Sequence, residues 1–290
     1  MLKLPSPIQS VTFRNYQIYI KRDDLIDKDF SGNKARKFHY FLDHEFAGIS
    51  KLISYGSSQS NAMYSLSVLA QMRGWEFEYY VDHLSSYLEQ NPQGNYKKAL
   101  QNSMQLHIAK PPKDIESNTL FIEEGGRVQE SSYGIYKLAQ EIASWMAQNH
   151  MQSLHIFLPS GTGTTALFLA KYFAINNINA KVFTTPCVGG KEYLAKQFGM
   201  LEPRGKYHPT ILEANYKHHF GKLYKQEYQM WLELKDTLNI EFDLLYDPYG
   251  WIVMMEHIQT LNSSPLLYIH QGGIIGNESM LPRYERKYKQ

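Results

Sequence analysis

Leu154-His155-Ile156-Phe157-Leu158 is a short apolar run that passes without a break into Pro159-Ser160-Gly161-Thr162-Gly163-Thr164-Thr165. A helical pattern through Leu167, Ala170 and Phe173 follows at once. Such a run reads as a strand buried on both faces, and a strand buried on both faces belongs in a parallel sheet covered by helices. The unit recurs along the chain. Lys51 to Tyr55 is a strand ending at Gly56-Ser57-Ser58-Gln59-Ser60-Asn61, with a helix behind it through Met63, Leu66 and Leu69 that Gly74 closes. Gln17 to Lys21, Trp75 to Val81, Leu106 to Ala109, Lys181 to Thr185 and Leu266 to Ile269 read as further strands, with Pro5 to Phe13 extended. Helices are expected from Gly32 to about His44 and over Tyr96 to Met104, Tyr133 to Met146, Glu192 to Phe198, Gln226 to Leu238 and Ile252 to Leu261. Strand and helix alternating in this order predict βαβ units and an α/β fold. Glu123-Glu124-Gly125-Gly126 interrupts the pattern. The division expected from it is a larger subdomain of residues 1–42 and 132–290 and a smaller α/β subdomain of residues 43–131.

With 290 residues and 43% hydrophobic content, the chain can bury a core of that size. Thirty basic against 28 acidic residues give a formal net charge of +2, which carries no nucleic-acid or membrane signature. The 22 tyrosines therefore read as core and half-buried surface, because single-strand binders pair stacking rings with a basic groove. Cys187 stands alone, so no disulfide can form within the chain, and no window offers about 18 consecutive apolar residues. A cytoplasmic protein acting on a small molecule, without membrane or nucleic-acid partners, is the expectation.

The chemistry concentrates in four places. Lys34 follows the turn Gly32-Asn33 at the head of a helix. The helix macrodipole disfavours its ammonium there, and partial burial lowers its pKa further, so the amine becomes a usable nucleophile. As part of a basic run with Arg36 and Lys37 it would instead be a solvated surface residue. Gly161 to Thr165 forms a phosphate cup: small residues let backbone N–H groups converge at a helix N-terminus, with threonine hydroxyls beside them. No Gly-Lys-Ser/Thr is present, so no Mg-nucleotide chemistry follows; the bland reading is a capped βα turn. Ser60 and Asn61 head a helix as ligand-facing polar groups or as plain caps. The glycines of His270-Gln271-Gly272-Gly273 permit close approach of a flat ligand, and Tyr249, ahead of a helix, offers an aromatic face or fills the core. A reactive lysine, a phosphate cup without metal chemistry and a glycine-flanked polar slot together suggest pyridoxal 5'-phosphate. No metal site is expected.

Lys21-Arg22-Asp23-Asp24-Leu25 with Gly32-Asn33-Lys34-Ala35-Arg36-Lys37, Gln59-Ser60-Asn61, Gly125-Gly126 with Gly134, Gly161 to Thr165, and His270 to Gly273 keep one order over nearly the whole chain. In these motifs the chain resembles the 1-aminocyclopropane-1-carboxylate deaminase and D-cysteine desulfhydrase family. That family belongs to the tryptophan synthase β-like (fold type II) pyridoxal-phosphate enzymes. The resemblance implies two open, twisted, mostly parallel sheets flanked by helices, and a homodimer. It implies that Lys34 forms the Schiff base and takes the Cα proton, and that Asn61 bonds the cofactor phenolic oxygen. Gly161, Thr162, Gly163, Thr164 and Thr165 would hold the phosphate. Ser60, with Gln59 and Asn61, would meet the substrate, and Tyr249 would stack near the ring. Three positions depart from the family pattern. Gly250 replaces a glutamate that keeps the pyridine nitrogen protonated, Gln271 replaces a threonine and offers a neutral amide, and Phe220 replaces a tyrosine associated with ring opening. Tyr216 and Tyr224 are nearby hydroxyls. A weakened electron sink suits β-elimination of a good leaving group, from D-cysteine or a related D-amino acid, better than opening of a cyclopropane ring. Cyclopropane deamination is the alternative, and a non-catalytic pyridoxal-phosphate-binding protein is the alternative of another class.

Overall fold

The computed structural model describes residues 2–30 and 32–288; Ser31, beside the lysine motif, lies outside the described residues. A hairpin opens the chain, β1 (Ile8–Phe13) and β2 (Tyr16–Arg22), and α1 (Gly32–Asp43) follows. Next come β3 (Lys51–Tyr55), α2 (Asn61–Arg73), β4 (Glu76–Val81), α3 (Ser86–Gln90), α4 (Gly94–Gln101), β5 (Gln105–Ile108) and β6 (Thr119–Ile122). The chain continues through α5 (Ser131–Gln148), β7 (Leu154–Ser160), α6 (Thr164–Ile175), β8 (Ala180–Pro186), α7 (Gly190–Leu201) and β9 (Thr210–Ile211). It ends with α8 (Lys225–Leu238), α9 (Asp247–Glu256), α10 (Ile258–Leu261), β10 (Leu266–His270) and α11 (Asn277–Tyr288).

Two sheets result, one of six strands in the order β1-β2-β10-β7-β8-β9 and one of four in the order β5-β4-β3-β6. Every pairing is parallel except β1 with β2, which a tight turn joins through Arg14 and Asn15, both at positive φ. The apolar run at Leu154 is buried along all of β7, as a strand with neighbours on both sides and helices on both faces must be. The registers Ile269↔Lys21 and Tyr268↔Phe157 bring the carboxyl ends of β2, β10 and β7 side by side. No helix among the described residues is long and apolar enough to cross a membrane.

β6, β9, α3 and α11 lie outside the expected elements: the first three are short, and α11 carries Pro282 inside it. The helix expected from Ile252 starts instead at Asp247 and breaks at His257, where α10 begins. Asp247 to Gly250 is therefore the first turn of α9 and not a loop ahead of it.

α1 is anchored by charge as well as by its apolar face. The Arg36 guanidinium donates to Asp23 Oδ1 at 2.8 Å and to Glu141 Oε1 at 2.7 Å, and Lys21 Nζ donates to Glu141 Oε2 at 2.6 Å. Asp23 follows β2, Arg36 lies on α1 and Glu141 on α5, so one buried cluster ties the three together and sets where α1 presents its side chains.

Candidate active site

A cavity of about 430 Å³ opens where the carboxyl ends of the strands face the N-termini of α1, α2 and α6. Lys34, Gln59, Ser60, Asn61, Gly161 to Thr165 and Gln271 all line it. Tyr249 does not.

Lys34 is half-buried on the first turn of α1. Burial draws its pKa down to about 8, against the upward pull of the Asp243 carboxylate. The amine is thus available at neutral pH in a way that an exposed lysine is not. Asp243 is fully buried, and burial pushes its carboxyl up to about 7 even though the backbone N–H groups of Tyr246 and Leu245 hold it down. Its Oδ2 has no hydrogen-bond partner.

The cup is a left-handed turn at Gly163 followed by the N-terminus of α6. A side chain at Gly163 would meet Phe198 Cε1 at 2.3 Å and Leu194 Cδ1 at 2.6 Å, so only glycine lets α6 sit this close to α7. Thr162 and Thr164 hydroxyls lie 3.2 Å apart, and the buried Thr165 Oγ1 has no partner. Lys37 adds a basic group to the cup. From the turn of α1 after Lys34, its ammonium reaches Gly125 O at 2.9 Å and Thr162 Oγ1 at 3.4 Å. Burial, then the positive charges of Lys34 and Arg127, hold its pKa well below the ordinary lysine value. No ion pair neutralises Lys37 among the described residues, so an anion in the cup would answer both it and the Thr165 hydroxyl.

Ser60 caps α2, accepting the Ala62 N–H at 3.1 Å and keeping its own proton to donate. Asn61 is oriented by a residue without a motif: Asn95 Nδ2 donates to Asn61 Oδ1 at 2.6 Å and to Gln59 O at 3.0 Å. This turns Asn61 Nδ2 toward Gly273 and the Asp243 carboxylate, whose pKa Asn61 helps to hold down. Gly273, at φ +86°, is what permits the approach, since a Cβ there would lie 2.5 Å from Asn61 Nδ2. We predict that Gly273→Ala costs about 1–3 kcal/mol of stability from backbone strain and displaces Asn61. Denaturant unfolding of the variant checks the first part, and weaker ligand binding in the cavity checks the second.

Gln271 donates through Nε2 to Pro159 O at 2.6 Å and accepts from Asn33 Nδ2 at 2.9 Å, which leaves one N–H to face a ligand. His270 beside it is fully buried and neutral, with burial the main cause of its lowered pKa. It takes the Gly272 N–H on Nδ1 and bonds Glu241 O through Nε2. Tyr249 is a correction: it is buried in the core, stacked on His218 at 4.1 Å and edge-on to Tyr216 at 5.9 Å. Tyr246 and Asp247, at the start of α9, line the cavity instead, and Tyr249, two residues on, turns into the core. Tyr246 lines the cavity over Gly161 and packs on Phe220 at 5.2 Å. At Gly250 a Cβ would already stand 3.1 Å from Pro159, so the space a glutamate would need is filled. Phe220 lines the cavity, whereas Tyr216 and Tyr224 do not; their hydroxyls go to Glu227 and to Lys217 O.

Lys37, Asn95, Asp243 and Tyr246 were not singled out from sequence. Only Lys37 carried a signal, its spacing of three from Lys34 on one helix.

No protein-family model matches the chain, and no curated protein sequence matches it. Solved structures do. An ACC deaminase homologue is 20% identical with a TM-score of 0.82, covering 97% of this chain and 93% of that one. A hydrogen sulfide-producing enzyme from Fusobacterium nucleatum is 11% identical with a TM-score of 0.65, over 94% and 96% of the two chains. A pyridoxal 5'-phosphate-dependent aspartate racemase is 11% identical with a TM-score of 0.64, over 92% and 90%. At these identities the likeness is one of fold, and the chain has the tryptophan synthase β-like architecture of the fold type II enzymes.

Proposed function

We propose that the chain is a pyridoxal-phosphate-dependent lyase that deaminates a small amino acid by β-elimination. D-Cysteine or a related D-amino acid is the first substrate to test. The observation that carries this reading is the pairing, in one cavity, of the Lys34 amine at a pKa of about 8 with a glycine–threonine cup that holds an unneutralised Lys37. The donor set fits the cofactor: an amine for its aldehyde, cup and ammonium for its phosphate, and the Asn61 amide for its phenolic oxygen. When bound, pyridoxal phosphate supplies an aldehyde for an amine and a ring that accepts electron density from Cα.

The chain's own groups supply the rest. Ser60, Asn61 and the turn before them offer neutral donors for the substrate carboxylate at the N-terminus of α2. Lys34 takes the Cα proton as general base. The Cβ–S bond breaks with its electron pair on sulfur, and after one water is consumed the products are a 2-oxo acid, ammonia and hydrogen sulfide. Phe220 brings no hydroxyl to the cavity wall, which favours thiolate over a cyclopropane carbon, while Asp247 is a carboxylate that does line the cavity.

The test is the visible spectrum of the purified protein with cofactor, before and after borohydride, followed by a screen of D- and L-amino acids for 2-oxo acid. A colourless protein in excess cofactor would sink the proposal. Faster opening of 1-aminocyclopropane-1-carboxylate than of any D-amino acid would replace it with the second reading, which the likeness to the ACC deaminase homologue supports. Colour without turnover of any amino acid would leave a binding protein. We further predict that Lys37→Met weakens cofactor binding by roughly 10- to 100-fold, as loss of a charge-assisted hydrogen bond should. Titration of cofactor absorbance against protein measures this, and an unchanged affinity would remove Lys37 from the phosphate site.

A further inference from the structure

We infer that Arg283 selects substrates whose side chain carries an acidic group, so that the preferred substrate is a β-substituted alanine with an anionic substituent. This rests on the reading of the cavity as the site of β-elimination, and it narrows the substrate class beyond D-cysteine.

Arg283, half-buried on α11, lines the same cavity as Lys34. Its guanidinium is held in place by neutral acceptors only: Nη1 donates to Met280 Sδ at 3.0 Å and Nη2 to Gly221 O at 3.2 Å. Five N–H donors in a planar fork leave three for a ligand, and no ion pair neutralises the charge among the described residues. A cation kept in a cavity by a carbonyl and a thioether, with its remaining donors free, suits a carboxylate, sulfate or sulfonate. The α-carboxylate of an amino acid already has a place at the N-terminus of α2, on a different element, so the group left for Arg283 belongs to the side chain.

Another wall of the cavity strengthens the assignment. Glu124 lines it beside Gly56, where a Cβ would stand 3.2 Å from Glu124 Oε1. Favoured in its neutral form by burial, Glu124 offers a second acid no positive charge, whereas Arg283 does. Glu124 is not an equal counterpart selecting a cationic side chain. The Arg127 charge acts on it across the wall, whereas Arg283 forms no ion pair among the described residues.

Serine O-sulfate and β-chloroalanine, each as both enantiomers, separate the cases. In each the Cα proton passes to Lys34, the Cβ–O or Cβ–Cl bond breaks with its electron pair on the leaving group, and one water is consumed. Both give pyruvate and ammonia, with sulfate or chloride. We expect the ratio of kcat/KM for the sulfate over the chloride to fall about 10- to 100-fold in Arg283→Met and to be partly retained in Arg283→Lys. A ratio the same in parent and Arg283→Met overturns the inference. Calorimetric binding of succinate against butyrate to the holoprotein asks the same question without turnover. A parent preference for succinate that Arg283→Met abolishes supports the inference even where no amino acid is eliminated, which would be a failure of the proposed reaction alone. A parent without that preference overturns the inference whatever the variants do.

Discussion

Replacing Lys34 with alanine should abolish the yellow, borohydride-sensitive species and lower turnover by a factor on the order of 10⁴ or more, because nucleophile and general base are lost together. The protein should still fold. The Lys34 ammonium is a cost to the native state, since burial moves its pKa from the ordinary lysine range down to about 8. Between about pH 8 and the unfolded value the unfolded chain binds more protons than the native one, so this group makes stability rise with pH across that window. Lys34→Ala removes that rise. The same titration governs chemistry, and capture of a pyridoxal aldehyde by the parent should increase with pH and level off above about 8. A lysine in water would keep gaining until about pH 10.4. Because the Asp243 charge raises the Lys34 value, Asp243→Asn should shift the capture profile to lower pH. A profile that levels off only near pH 10 would mean that Lys34 is solvated and that the proposed nucleophile is wrong.

Lys34 was legible because several of the groups lining the cavity sit at turns that begin a helix, and such turns are written in consecutive residues. Gly32-Asn33-Lys34, Gln59-Ser60-Asn61 and Gly161 to Thr165 each announce a turn followed by an apolar helical period, and all three line one cavity. Groups that reach the cavity from elsewhere carry no such mark. Asn95 holds Asn61 from α4, and nothing near it in sequence distinguishes it from a surface asparagine. Tyr249 shows the opposite failure, in which the motif was visible but its phase was not. Once Asp247 begins the helix, one residue's difference turns a ring from the cavity into the core. Pro282 hid α11, and with it Arg283, because an internal proline argues against a helix that tertiary contacts nevertheless maintain.

The largest effect on stability is expected at Arg36. Its guanidinium and the Asp23 carboxylate are each 1% exposed, and Asp23 Oδ1 also accepts from Ser6 Oγ at 2.5 Å. Glu141 would keep Lys21 as a hydrogen-bonded partner after Arg36→Ala, but Asp23 would keep only the serine hydroxyl as a hydrogen-bond partner, with the Lys21 charge acting on it without a hydrogen bond. A buried carboxylate stripped of its cation costs about 3–5 kcal/mol, and chemical denaturation should show a loss of that size with the slope unchanged. Lysine should not rescue the site, because one point charge cannot serve Asp23 and Glu141 through separate N–H groups. The cost belongs to the abandoned carboxylate more than to the lost pair, so Arg36→Met combined with Asp23→Leu should recover most of it. If the double variant is instead as unstable as Arg36→Ala, the guanidinium's packing between β2, α1 and α5 dominates. Because α1 carries Lys34 and Lys37, either variant that folds should also bind cofactor less tightly. A given excess of cofactor should then stabilise it less than it stabilises the parent, a difference that a cluster uncoupled from the site would not show.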